Sequence, residues 1–143
     1  MLETTVVGTT LLIKTAATAL RARNGAVVNV TNSSAASGRG IAGAGFTTAA
    51  KTALESLTRT WAVELAPEIQ VNAVAPGLTR SWQDDAEVPA AVLEYAAAAA
   101  DRSPSGGIGV PADIAYWVLA LADPAAQWTT GQTIIVDGGI SAA

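Results

Sequence analysis

The sequence predicts an α/β fold in which a narrow parallel sheet of about three strands is flanked by four helices. Three observations lead there. Short β-branched or apolar runs bounded by turn residues occur at 26–30, 69–75 and 133–136. Segments with helical spacing of apolar residues lie between them. Each pair of successive strands is separated by enough chain for a helical crossover, which parallel neighbours require.

The elements follow in order. Residues 4–23 read as a helix, with Val7, Leu11, Leu12, Ala16, Ala19 and Leu20 recurring on one face. Asn24-Gly25 ends it, and Arg21 and Arg23 complement the dipole of its last turn. Ala26-Val27-Val28-Asn29-Val30 is a buried strand. Residues 31–45, rich in Ser, Gly and Thr, read as a loop. A second helix over 46–66 carries Leu54, Leu57, Trp61 and Leu65 on one face and stops at Pro67. Ile69 to Ala75 is the next strand, closed by Pro76-Gly77. After a polar, acidic stretch at 78–88, residues 89–101 form an Ala-rich helix. Ser103 to Gly109 is a flexible connector, and Pro111 suits the first position of a helix running to Ala122, with Asp113 at its positive end. Thr133-Ile134-Ile135-Val136 is the last strand. Such a sheet has two open edges, which proteins normally cover.

Composition narrows the chemistry. The 143 residues form one domain over 1–143, large enough to bury a core. They include no cysteine and no histidine, which excludes disulfides, thiolate nucleophiles, His-dependent triads and His or Cys metal ligands. Acid–base work falls to Ser, Thr, Tyr, Lys and carboxylates. A net charge of -4 argues against a nucleic-acid partner. Apolar stretches are interrupted by Lys14, Arg21, Asp113 and Asp123, short of the roughly 20 apolar residues of a spanning helix. A cytoplasmic location without a membrane partner is the expectation. The acidic group Asp84, Asp85 and Glu87 lacks metal-ligand spacing and reads as a solvated loop.

Five segments together resemble the short-chain dehydrogenase/reductase family. They are Val27-Val28-Asn29-Val30-Thr31-Asn32-Ser33-Ser34, Ala49-Ala50-Lys51-Thr52-Ala53-Leu54 and Val71-Asn72-Ala73-Val74-Ala75-Pro76-Gly77, then Gly109 to Ile114 and Thr130 to Gly139. Each is weak alone, but their order and spacing match across nearly the whole chain. The resemblance implies a doubly wound, Rossmann-like sheet binding NAD or NADP. It also implies an Asn–Ser–Tyr–Lys tetrad, in which Tyr moves the proton as hydride passes between nicotinamide and carbonyl. A nearby ammonium pulls the phenol pKa toward neutrality, which is why the family pairs Tyr with Lys.

Carried over residue by residue, the pattern is incomplete. Lys51 fills the Lys position, but the Tyr position four residues earlier holds Thr47, and Phe46 beside it has no hydroxyl. An aliphatic hydroxyl is a far weaker acid than a phenol. Gly8 matches the glycine after the family's Asn, whose own position holds Thr5. Counting back from the Tyr position assigns the Ser role to Ser34, counting along the strand gives Asn32, and Ser33 lies between. The family loop that touches nicotinamide corresponds to Pro76, Gly77, Leu78 and Thr79, which with Lys51 make the candidate cofactor contacts. The tyrosines are Tyr95 and Tyr116; Tyr95, in the helix of the substrate-loop region, is a conceivable substitute phenol.

The resemblance further implies that residue 1 corresponds to the start of the family's fourth helix. These residues would then hold the last three of seven strands and lack the Gly-rich nucleotide turn. The glycines between Ser37 and Gly45 lie where the family has a variable loop. Three functions are open. The chain is a non-catalytic subunit that assembles with a full-length relative or itself, with Trp61, Trp117 and Trp128 suited to an interface. It is part of an active carbonyl reductase or alcohol dehydrogenase whose other half comes from elsewhere. Or it is a non-redox enzyme using the inherited pocket around Thr47, Lys51 and Ser34.

Overall fold

The computed structural model describes residues 1–143. Its sheet has three parallel strands, β1 (Ala26–Val30), β2 (Gln70–Pro76) and β3 (Thr133–Val136), in the order β1-β2-β3. The register sets Val27 opposite Val71 and Val30 opposite Val74, then Ala73 opposite Thr133 and Pro76 opposite Val136. The helices are α1 (Thr9–Arg21), α2 (Ser33–Ser37), α3 (Gly45–Glu64), α4 (Ala90–Arg102) and α5 (Pro111–Ala122). The fold class is as the sequence predicts, with one helix more.

That helix, α2, lies in the stretch expected to be a loop. Asn32 caps it, its side-chain oxygen accepting from the Ala35 amide at 2.8 Å, and Gly38 ends it with φ of +71°. A five-residue helix without an apolar repeat leaves no periodic trace. The first helix also differs: α1 is preceded by a π-helical turn over Glu3–Gly8. At α5, Pro111 occupies the first turn and Asp113 accepts from the Val110 amide at 2.8 Å, the role expected at that helix end.

Two layers cover the sheet. On one face Ile13 and Ala17 of α1 and Leu54, Trp61 and Ala62 of α3 pack with Ile69 and Val71. Trp61 is therefore a core side chain, correcting its expected place at an interface: Leu54 and Trp61 share the buried face of α3. On the other face α5 crosses all three strands. Pro76, of opposite parity to Val71, neighbours its Ile114 and Val118. Among the residues of β2, Val71 to Ala75 are all buried, as a central parallel strand demands. No helix is long and apolar enough to cross a membrane.

Asn72 ties the centre together. Fully buried, it donates to the Thr129 carbonyl at 2.8 Å and accepts from the Gln132 amide at 3.0 Å. The Thr130 hydroxyl accepts from the Val71 amide, so the loop entering β3 is fixed before the strand begins.

Coverage of the apolar surface is incomplete, and only 21 of 143 residues are buried. Leu11 and Leu12 on α1, Phe46 and Val63 on α3, Tyr116 and Leu119 on α5, and Trp128 are exposed. The buried polar groups include Glu55, whose Oε1 has no hydrogen-bond partner. Burial pushes its carboxyl above the ordinary value of 4.5, while the Thr31 hydroxyl and the Arg59 charge pull the other way.

Two tests follow. Asn72→Ala orphans the Gln132 amide and Thr129 carbonyl, so urea denaturation should show a loss of about 2 kcal/mol or more; an unchanged midpoint would remove the tie from the account. For Glu55, the folded chain holds its proton more tightly than the unfolded chain. Its contribution to stability therefore falls as pH rises from 4.5 through the raised folded pKa. Glu55→Gln should flatten that decline in thermal melts and raise the midpoint at neutral pH. An identical pH slope in both proteins would mean Glu55 titrates normally.

Candidate functional site

All three strands point the same way, so the loops after β1, β2 and β3 converge at one end of the sheet. In open α/β sheets this carboxyl end is where ligands bind. A cleft of about 290 Å³ opens there, lined by Ser33 and Ser34 after β1, Gly77 and Leu78 after β2, and Tyr95 of α4. Asp137 and Ile140, after β3, close it.

Ser34 is held firmly. It is buried, and its hydroxyl donates to the Asn32 side-chain oxygen at 3.1 Å and lies 3.4 Å from the Thr48 hydroxyl. Asn32 is occupied as the cap of α2, and Ser33 reaches the cleft beside Ser34. Of the three residues expected to compete for the Ser role, Ser34 has a fixed hydroxyl, Ser33 is its neighbour in the cleft and Asn32 is committed to the cap. Thr47, in the Tyr position, is half-buried and makes no side-chain hydrogen bond to Ser34; the hydroxyl facing Ser34 belongs to Thr48. Thr48 went unread in the sequence, although its position three residues before Lys51 on a helix places both on one face. Thr5 sits in the π-helical turn, which packs on α3, and is joined by no hydrogen bond to Ser34 or Lys51.

Lys51 donates from Nζ to the Val30 carbonyl at 2.6 Å. The geometry of that carbonyl is informative. The Thr31 amide donates to Val74 on β2, and in a trans peptide the preceding carbonyl points the opposite way. Val30 O therefore faces the unpaired side of β1, and the Lys51 ammonium sits on the open edge of the sheet. Partial burial lowers its pKa from 10.5, so the folded chain releases this proton sooner than the unfolded one. An ammonium has three donors, and two remain free for a hydroxylated ligand.

The loop after β2 is rigid. The Gly77 amide donates to Val136 at 2.9 Å, and a Cβ on Gly77 would lie 2.5 Å from that of Asp137, so only glycine fits. The Thr79 hydroxyl donates to the Gly77 carbonyl at 3.2 Å, and Leu78 and Arg80 bond to Gly109. Of the expected cofactor contacts, Gly77 reaches the cleft. Pro76 and Thr79 lie on the α5 side of the loop, and Lys51 is held at the carboxyl end of β1 by the Val30 carbonyl. Residues that sequence reasoning left out, Arg39 and Arg102, also line the cleft.

The chain is similar to known proteins in both sequence and fold. The family model described as enoyl-(acyl carrier protein) reductase matches residues 1–141. Dehydrogenase OXI1 of Cochliobolus heterostrophus is 41% identical over 121 residues, which are 81% of this chain and 50% of that protein. The 3-oxoacyl-[acyl-carrier-protein] reductase FabG of Thermotoga maritima is 38% identical over 122 residues, 85% of this chain and 47% of that one. Among solved structures, a short chain dehydrogenase/reductase family protein superposes with a TM-score of 0.82 at 40% identity, covering 100% of this chain and 57% of the other. A short-chain dehydrogenase/reductase of unknown function from Caenorhabditis elegans, solved with cofactor, gives 0.87 at 30% identity, covering 99% and 55%. The chain spans about half the length of the curated relatives it matches. With residues 1–141 matched by the family model and relatives such as FabG 38% identical over 85% of the chain, the chain belongs to the short-chain dehydrogenase/reductase family.

Proposed function

We propose that this chain acts as an auxiliary, non-catalytic subunit of an NAD(P)-dependent short-chain oxidoreductase, assembling with a full-length relative. The observation that carries the reading is Thr47. One turn before Lys51, where a phenol must give and take the proton, stands an aliphatic hydroxyl that does not ionise near neutral pH.

Assembly draws support from the surface. Leu11, Leu12 and Val63 on one face and Tyr116 and Leu119 on the other are exposed, and β1 has an unpaired edge. Buried against a partner, such side chains each contribute about 1.5–3 kcal/mol.

The residues fit one end of a dinucleotide. Two free donors on the half-buried Lys51 ammonium suit a ribose, and the loop at Pro76, Gly77 and Thr79 is the place for nicotinamide by family resemblance. These 143 residues offer no Gly-rich strand-to-helix turn for the pyrophosphate. When bound, the nicotinamide supplies or accepts hydride.

A second reading rests on Tyr95, which lines the same cleft as Ser34. There the chain takes part in chemistry directly, with the Tyr95 phenol as proton donor.

Activity separates the two. For the auxiliary subunit, the chain alone reduces no carbonyl compound with NADH or NADPH, and Thr47→Tyr gains nothing. In complex with a full-length relative, Lys51→Ala should change turnover by less than about twofold, against the ~100-fold or greater loss expected of a working acid–base lysine. A loss of that size would overturn the auxiliary role. A comparable loss on Tyr95→Phe would establish the second reading.

A further inference from the structure

The cleft at the carboxyl end of the sheet carries a charge pattern that the family resemblance does not supply. Two guanidinium groups line it: Arg39, just past α2, and Arg102, at the end of α4. The chain as a whole is acidic, with 12 carboxylate side chains against 8 basic ones, yet neither arginine has an ionic partner. The one ion pair in the molecule joins Arg80 to Asp85. Arg39 spends a single donor on the Ile140 carbonyl at 3.1 Å, and the Arg102 side chain makes no hydrogen bond. Each guanidinium has five donors, so most are unused.

The carboxylate lining the cleft, Asp137, forms no ion pair with either of them. Asp137 accepts from the Gly139 amide through Oδ1 and from the Ser141 amide through Oδ2, both at 3.0 Å. It is committed to the turn after β3. Ser33 and Ser34 add hydroxyls, and Tyr95 adds a phenol. Leu78 and Ile41 supply apolar wall. At about 290 Å³ the cleft suits a small molecule and not a bulky one.

We infer that this cleft binds a small anionic carbonyl compound, its carboxylate or phosphate held between Arg39 and Arg102. Planar forks of donors match both anions, and a lysine pair would not give the same two-point grip. The inference rests on the proposed oxidoreductase role only for the word carbonyl. Anion capture stands on the arginines themselves.

Calorimetric titration tests it, using the chain or its complex with three probes: inorganic phosphate, acetoacetate and neutral acetone. Phosphate, acetoacetate or both should bind with Kd on the order of 1 mM, and acetone should not. The stronger anion identifies a phosphate or a carboxylate ligand. Arg39→Gln with Arg102→Gln should weaken anion binding about tenfold or more, while Arg21→Gln with Arg23→Gln, at the end of α1, leaves it within about twofold. Both guanidinium groups are exposed, so circular dichroism should show the variants folded. Absence of anion binding, or equal binding after loss of Arg39 and Arg102, overturns the inference. Anion binding by a chain that assembles with no relative would keep this site and remove the auxiliary role; assembly without anion binding would do the reverse.

Discussion

Parallel pairing of β2 with both neighbours governs everything else in this molecule. It buries Val71 to Ala75 from both faces, so helices are needed above and below the sheet. It also sends the chain out of every strand at the same end. Ser34, Gly77 and Asp137, far apart in sequence, meet there for that reason alone. Asn72 secures the arrangement by fixing the segment that leads into β3 onto β2.

The same pairing leaves a cost at the other side of β1, where alternate backbone groups have no strand to meet. Lys51 covers one of them by donating to Val30. Lys51 thus acts as an edge cap in this chain. The exposed leucines of α1 and the exposed Tyr116 and Leu119 of α5 tell the same story for the sheet's faces: the core is well made at β2 and thins outward.

Elements with strong periodicity were legible in the sequence. The β-branched runs gave all three strands, and the Leu54-Leu57-Trp61-Leu65 spacing gave the buried face of α3. That spacing also contained the answer to where Trp61 lies, since it shares the face of Leu54. The short helix α2 was hidden because its signal is a cap and a left-handed glycine, at Asn32 and Gly38, and not a repeat. The site was partly legible. Motif spacing points to Lys51 and leaves Asn32, Ser33 and Ser34 open, whereas Thr48 needed helix geometry. Tyr95, Arg39 and Arg102 reach the cleft only through the packing of α4 and the turn after α2 against the strand ends, which no local pattern encodes.

In the proposed auxiliary role, this chain completes its surface with another member of its family. Native mass spectrometry of the chain co-expressed with a full-length relative measures that directly. A mixed oligomer of defined stoichiometry is the predicted result. A chain that stays monomeric and folded beside its relative, with its apolar faces in water, would contradict it.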